Sequence, residues 1–219
     1  MGKTAKKIQK QVLIAAEKLR MDGYGDGLVF PDLTIEAGRH MLLLGASGSG
    51  KTTLLHLMAG LLTPDGGTVS FRGRDSRGLS SRERDALRAR HFGFIFQKLH
   101  LIGHLTALEN LLLSFSGANL PPDRAKAQAL LQELGLADRM HKAARTLSFG
   151  EAQRVAVARA VIHAPEVIFA DEPTSALDDA NAEKTARLLL EQAEQNGATL
   201  IVATHDARIK THFKTVTEL

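Results

Sequence analysis

The 219-residue sequence contains no cysteine. Disulfides, thiolate catalysis, cysteine-ligated zinc and iron–sulfur clusters are thereby excluded. Long hydrophobic runs are also missing. The apolar stretches Met41–Leu44 and Leu111–Leu113 fall far short of the roughly 18–20 residues that cross a bilayer. Near the start, Lys3, Lys6, Lys7 and Lys10 precede the apolar segment Val12–Ala16, which is too short for the core of a secretory signal. The expectation is a water-soluble chain that stays in the compartment where it is made. Neither sign of charge dominates, since 28 Lys+Arg against 24 Asp+Glu leave +4. Such a balance permits attraction to an anionic surface but requires none. The lysine cluster reads as a solvated tail, and no nucleic-acid partner is expected. What is present is ordinary globular composition, 44% hydrophobic and 24% charged, without repeats or low-complexity linkers. The length suits a single domain over 1–219 with room for a small insertion.

Apolar segments alternate with helical patterns, which predicts an α/β domain. Val12–Leu19 and Leu28–Ile35 read as early strands, with Gly23, Gly25 and Gly27 in the turn between them. Gly38 precedes the apolar run Met41–Leu44, a buried strand, and a helix is expected near 52–60. Thr68–Phe71 reads as a short strand after the turn Pro64-Asp65-Gly66-Gly67, and Phe92–Phe96 as another. The arginines between Arg72 and Arg90 are interspersed with Asp75, Glu83 and Asp85 and read as a solvated face. Over 99–146 the pattern changes. Leu105–Leu113 and Arg124–Leu134 have helical spacing with no strand between them, which predicts a helical insert. Helices near Gly150–Ile162 and Asp178–Gln195 then lead to strands at Val167–Ala170 and Thr199–Ala203.

Between the strand ending at Leu44 and the next helix stands Gly45-Ala46-Ser47-Gly48-Ser49-Gly50-Lys51-Thr52. This is the G-x-x-x-x-G-K-[ST] spacing of a phosphate-binding loop. Its glycines let successive backbone N–H groups turn inward around an anion, and the helix adds its positive end. Lys51 suits the β- and γ-phosphates, the Thr52 hydroxyl suits Mg²⁺, and the binding segment extends to Thr53. Downstream, Val167–Ala170 ends in Asp171-Glu172-Pro173, at the sheet edge where open α/β folds bind ligands. Asp171 is suited to hold the water shell of Mg²⁺, and Glu172 to polarise an attacking water. Alternation along a strand lets the two carboxylates do separate jobs. A kinase would also need a site for an acceptor substrate, and no motif supplies one.

One helix upstream of Asp171 lies Leu147-Ser148-Phe149-Gly150-Glu151-Ala152-Gln153-Arg154-Val155-Ala156-Val157-Ala158-Arg159-Ala160. It resembles the signature segment of ATP-binding cassette (ABC) ATPases, usually L-S-G-G-Q followed by an arginine-containing helix. The family's other motifs then appear in order over nearly the whole chain. Gln97, ending Gly93-Phe94-Ile95-Phe96, resembles the Q-loop glutamine; Ser175-Ala176-Leu177-Asp178 resembles the D-loop; His205, after Thr204, resembles the switch histidine. Tyr24, the one tyrosine, resembles the aromatic that stacks on adenine, with Phe30 as a nearby competitor.

The resemblance implies a P-loop NTPase with a RecA-like core, an antiparallel β subdomain and an inserted helical subdomain, using ATP and Mg²⁺. It implies a catalytic set of Glu172, His205, Lys51 and Gln97, and a metal set of Thr52, Gln97 and Asp171. His205 would donate to the γ-phosphate as charge develops. Ser148, the Gly150 backbone and Asp178 would belong to a nucleotide site completed by a second subunit, in a head-to-tail dimer that sandwiches two ATP molecules.

Two departures stand in the signature: Phe149 replaces a glycine and Glu151 a glutamine. A bulky ring, and a carboxylate near a triphosphate unless it is paired, predict weaker closure or slower turnover. His100 and His104 have i,i+4 spacing but lack further metal ligands, so they read as surface or interface residues. The stretch Lys98–Asn110 is apolar for a surface. In transporter relatives it forms a groove for a cytoplasmic helix of the membrane subunit; otherwise its leucines fill the helical insert's own core. The segments Leu79–Arg84, Phe92–Gln97 and Leu105–Asn110 are similar to the lipoprotein-release, macrolide-export and cell-division (FtsE-like) branch, although a proline often found near position 103 is absent. The implied protein is an ATP-hydrolysing subunit of a membrane transporter or mechanotransmission complex. It would be cytoplasmic and peripheral on the inner face of the membrane, docked to an integral permease subunit near Gln97–Asn110. Two other readings stay open: a soluble non-transport ABC ATPase binding RNA or protein, and an ATP-binding scaffold that does not hydrolyse.

Overall fold

The computed structural model describes residues 11–23, 27–175 and 177–219. In chain order its elements are β1 (Val12–Met21), β2 (Leu28–Val29), β3 (Leu33–Glu36), β4 (Met41–Leu44), α1 (Lys51–Met58), β5 (Gly66–Phe71), β6 (Arg74–Asp75), α2 (Ser81–His91), β7 (Phe92–Ile95), α3 (Ala107–Gly117), α4 (Arg124–Glu133), α5 (Phe149–Val161), β8 (Val167–Asp171), α6 (Asp179–Gln195), β9 (Thr199–Thr204) and β10 (Thr215–Glu218). One sheet is antiparallel, with β1 pairing β2, β3 and β5, and β5 pairing β6. The other is parallel, in the order β10-β4-β9-β8-β7. The fold is α/β.

The parallel strands are apolar on both faces because both faces are covered. Along them alternate residues enter different cores. Leu43, Phe169 and Ile201 face β1 and β3 and share a cluster with Ile14, Ile35 and Leu54 of α1. Leu42, Ile168 and Leu200 face the opposite way and meet Val157 of α5 and Leu189 of α6. A third cluster joins Leu108 and Leu111 of α3, Leu131 of α4 and Val155 and Ala158 of α5. Helix α5 is therefore a wall shared by the sheet and the helical segment. Among the described residues, no helix is long and apolar enough to cross a membrane.

Three differences from the sequence reading have local causes. The single strand expected over Leu28–Ile35 is two, β2 and β3, split at Phe30-Pro31-Asp32. Pro31 has no amide to donate to a ladder, and the Asp32 carboxylate accepts the Lys18 N–H at 2.6 Å where β1 bulges. Helix α2 was not expected as a helix. It carries a complete capping box between Ser80 and Glu83 and buries no side chain fully, with only Leu87 packed against the core, so it has no apolar stripe to read. Strand β10 is short and polar, and it joins the sheet through its backbone ladder with β4.

Candidate nucleotide site

The loop between β4 and α1 turns at Gly48 and Gly50, with φ of 85° and 92°. Gly50 also allows a close approach, since a Cβ there would sit 3.0 Å from Phe30 Cε1 and 3.2 Å from Leu28 Cδ1. No described side chain caps α1, and its first turn holds no acid, so its leading amides are left for an anion. Lys51 is only 5% exposed, and its ammonium donates to the Ala46 carbonyl at 2.7 Å, within the loop itself.

The Thr52 hydroxyl donates to both carboxylate oxygens of Asp171, at 2.9 and 3.1 Å. This contact joins the start of α1 to the end of β8. Burial pushes the Asp171 carboxyl above its ordinary value, a shift partly offset by the Thr52 hydrogen bond and the nearby cations. A buried acid beside a hydroxyl is an all-oxygen donor set, which fits a hard divalent cation such as Mg²⁺.

Glu172 leaves β8 in a left-handed conformation, φ 48°, uncommon for a residue with a side chain. Its N–H donates to the Ala203 carbonyl at 2.8 Å, which keeps it against β9. Its carboxylate accepts the Thr204 hydroxyl at 2.8 Å and the His205 N–H at 3.2 Å, and lies 2.9 Å from His205 Nδ1. The Glu172 side chain is 13% exposed and that of His205 is 51%. Residues far apart in sequence, including Gly48, Lys51, Thr52, Gln97, Glu172 and His205, line one cleft of about 550 Å³. Such a cleft brings an anion-binding loop together with a carboxylate and an imidazole.

Not every expected residue enters this cleft. Tyr24 and Ala176 lie outside the described residues. Phe30, the alternative stacking aromatic, is 5% exposed and belongs to the core, so it has no open face for a base. Ser148 and Asp178 instead cap α5 and α6; the Asp178 carboxylate accepts the Asn181 N–H at 2.9 Å. The Ser148 N–H donates to the Glu151 carboxylate at 2.8 Å, and Arg139 Nε donates to it at 2.8 Å. Those contacts, with the Ser148 N–H foremost, hold the Glu151 carboxyl at about 2. The carboxylate is therefore paired, and the like-charge premise does not apply to it. Phe149 is half exposed at the first turn of α5.

The apolar stretch after Gln97 divides between its two readings. Leu108 and Leu111 fill the helical core, while Ile102 and Leu113 remain exposed. Asn110 is buried and binds both the N–H and the carbonyl of Ile102, at 2.8 and 3.2 Å. Beside them α2, β7, α3 and α5 border an open cavity of about 400 Å³ lined by Arg88, Phe94, Phe96, His100, Ser114 and Arg159. Two contributors to the site were not singled out from sequence. Thr204, adjacent to His205, was legible by position; Gln153, which donates to the Pro173 carbonyl at 2.8 Å, depends on helix packing that no local pattern shows.

Comparison with known proteins identifies the family and the fold. The profile of the family described as ABC transporter matches residues 31–175. Over 193 residues the chain is 42% identical to the lipoprotein-releasing system ATP-binding protein LolD of Nitratidesulfovibrio vulgaris, covering 86% of this chain and 83% of that one. Over 183 residues it is 44% identical to the macrolide export ATP-binding/permease protein MacB 2 of Aeromonas hydrophila, covering 83% of this chain but 28% of that protein. The chain thus spans under a third of the length of its MacB relatives. Among solved structures it matches the dimeric ABC transporter cassette MJ0796 with a TM-score of 0.83 and 31% identity, over 94% of each chain. A post-hydrolysis state of that cassette, bound to ADP and Pi, matches with a TM-score of 0.82 and 29% identity. The chain belongs to the ABC transporter family and has the α/β P-loop fold of its ATP-binding cassettes.

Proposed function

We propose that this cassette powers a membrane complex of the lipoprotein-releasing or macrolide-exporting kind, in which ATP binding closes two cassettes head to tail and hydrolysis reopens them. The observation that carries the reading is the Glu172 carboxylate, held by Thr204 and His205 and facing the cleft that contains Lys51 and Thr52. Amides of the loop and Lys51 bind the phosphates of ATP. Thr52, Asp171 and Gln97 would hold Mg²⁺, which would supply positive charge to offset that of the phosphates. Glu172 orients the attacking water and accepts its proton, and the exposed His205 ring stabilises charge on the γ-phosphate. Ser148 and the Gly150 backbone present the N-terminal end of α5 to the nucleotide of the second cassette, with Asp178 nearby and Tyr24 on the adenine.

In this reading residues 99–146 are an inserted helical subdomain. The cavity beside Phe96, His100 and Ser114, with exposed Ile102 and Leu113, receives a cytoplasmic helix of an integral permease. The cassette then sits on the inner face of the membrane. The 42% identity to LolD favours a transporter cassette over a soluble, RNA-binding ABC protein.

The test is light scattering on Glu172→Gln with and without Mg-ATP, beside phosphate release from the natural sequence. Trapped ATP should shift the variant from monomer to dimer. A variant that binds ATP and stays monomeric overturns self-pairing. Absence of phosphate release from the natural sequence overturns hydrolysis in favour of a scaffold.

A further inference from the structure

Helix α5 makes an attachment that neither its capping nor its apolar packing requires. Arg159, near its C-terminal end, donates from Nη2 to the Leu99 carbonyl at 2.8 Å and from Nη1 to the His100 carbonyl at 2.6 Å. Leu99 is two residues beyond Gln97. The planar guanidinium fork suits two neighbouring carbonyls in a way an ammonium does not. Burial is the one influence that moves the Arg159 guanidinium, and it moves it downward; no carboxylate among the described residues offsets it. A cation placed in such surroundings must earn its desolvation through the groups it holds.

What it holds is a strained turn. His100 has φ of 46°, in the left-handed region that side chains disfavour. Its ring stands edge-on to Phe96, centroids 5.3 Å apart, and Phe96 is the residue before Gln97. On the other side the Ser114 hydroxyl donates to the Arg159 carbonyl at 3.0 Å, tying α3 to the same point. At its opposite end α5 is capped by Ser148, and Gln153 reaches the carbonyl of Pro173, which follows Glu172. One rigid helix therefore touches the chain just after both Gln97 and Glu172.

We propose that Arg159 is a positioning residue that fixes the Leu99–His100 turn to α5 and so sets where Gln97 stands in the cleft. A displacement of the Ser148 end of α5 is then passed to Gln97 without a contact between Arg159 and nucleotide. This inference rests on the role given to Gln97 above.

The test is a double-mutant cycle on the full chain, with Gln97→Ala and Arg159→Met alone and together, and Arg159→Lys as the conservative variant. Steady-state ATPase activity is read as kcat and KM separately. Gln97→Ala and Arg159→Met should each lower kcat by roughly tenfold or more, the scale seen when support of a ligating group is lost, with KM for ATP within about twofold. Arg159→Lys should fall between, because an ammonium serves one carbonyl at a time. In the Gln97→Ala background, Arg159→Met should cost less than about twofold, since its target is gone. A full, independent loss there, as general destabilisation would give, overturns the inference while leaving the Gln97 role intact. Natural turnover in Arg159→Met overturns it equally. Natural turnover in Gln97→Ala overturns the Gln97 role and the inference with it. Should Arg159→Met fail to fold, Arg159→Lys carries the same cycle.

Discussion

Gly93→Ala is a perturbation of one methyl group whose effect can be worked from the structure. Gly93 lies in β7 against α5. A Cβ there would stand 2.2 Å from the Ala160 carbonyl oxygen, 3.0 Å from its carbon and 3.2 Å from Pro165 Cγ. The two nearest atoms are backbone, so no rotamer change relieves the clash. Strand and helix must separate by roughly 1 Å to recover van der Waals contact. Both elements enter buried clusters, through Phe92 and Ile95 on the strand and Val157 and Ala160 on the helix, so the separation disturbs packing on each side. Overpacking of this kind costs about 1–3 kcal/mol. In a chain of this size a loss of ~2 kcal/mol lowers the melting temperature by about 4–8 °C. Urea unfolding followed by circular dichroism would measure the loss, and ATPase assays would show whether turnover falls as β7 carries Gln97 away from the cleft. A variant within about 0.5 kcal/mol of the natural sequence, with intact turnover, would refute the rigid contact on which this reasoning depends.

Other expectations concern charged groups. Asp206 accepts the Thr174 hydroxyl at 2.7 Å and pairs with Arg208 at 2.7 Å, and chiefly through Arg208 its carboxyl is held at about 2. A value depressed from the ordinary 3.8 gives stability that is full above that pH and lost as pH falls toward 2. Asp206→Asn should therefore cost about 1–2 kcal/mol at pH 7, allowing for solvent screening, and the gap should narrow at pH 3; an equal gap at both pH values contradicts the linkage. Glu151→Gln should lower thermal stability, because it weakens the contacts to Arg139 and Ser148, yet leave ATP affinity within about twofold. A severalfold rise in basal ATPase activity in that variant would instead show that the carboxylate repels nucleotide.

The parts of the fold that were legible in the sequence are those where chemistry and periodicity coincide. The run Met41–Leu44 followed by glycines and Lys51 became β4, a phosphate loop and α1, because burial on both faces leaves an apolar strand and an anion site demands those residue types. The acidic end of β8 was legible for the same reason. Helix α2 was not, since with only Leu87 packed against the core it leaves no hydrophobic period, although the Ser80–Glu83 spacing carried its capping signal. Pro31 marked the break between β2 and β3, but an apolar run on either side masked it. The grip of Thr204 and His205 on Glu172, and of Arg159 on Leu99 and His100, joins segments 32 to 60 residues apart. Such contacts follow from sheet order and helix packing, which no local window encodes.

Sheet order also decides which half of the cleft can yield. Glu172 and His205 extend from β8 and β9, interior strands flanked on both sides by partners and buried on both faces. Their spacing is as stiff as the sheet itself. Gln97 extends instead from β7, the outermost strand, which has one neighbour in the ladder and continues into a turn held by a side chain. The cleft is thus a vice with one fixed jaw and one movable jaw. Opening on the β8–β9 side would break an interior ladder, whereas opening on the β7 side breaks a single edge ladder together with the packing of β7 on α5. In the proposed function, adjustment of the grip on ATP belongs to the movable jaw, the one to which α5 is fastened.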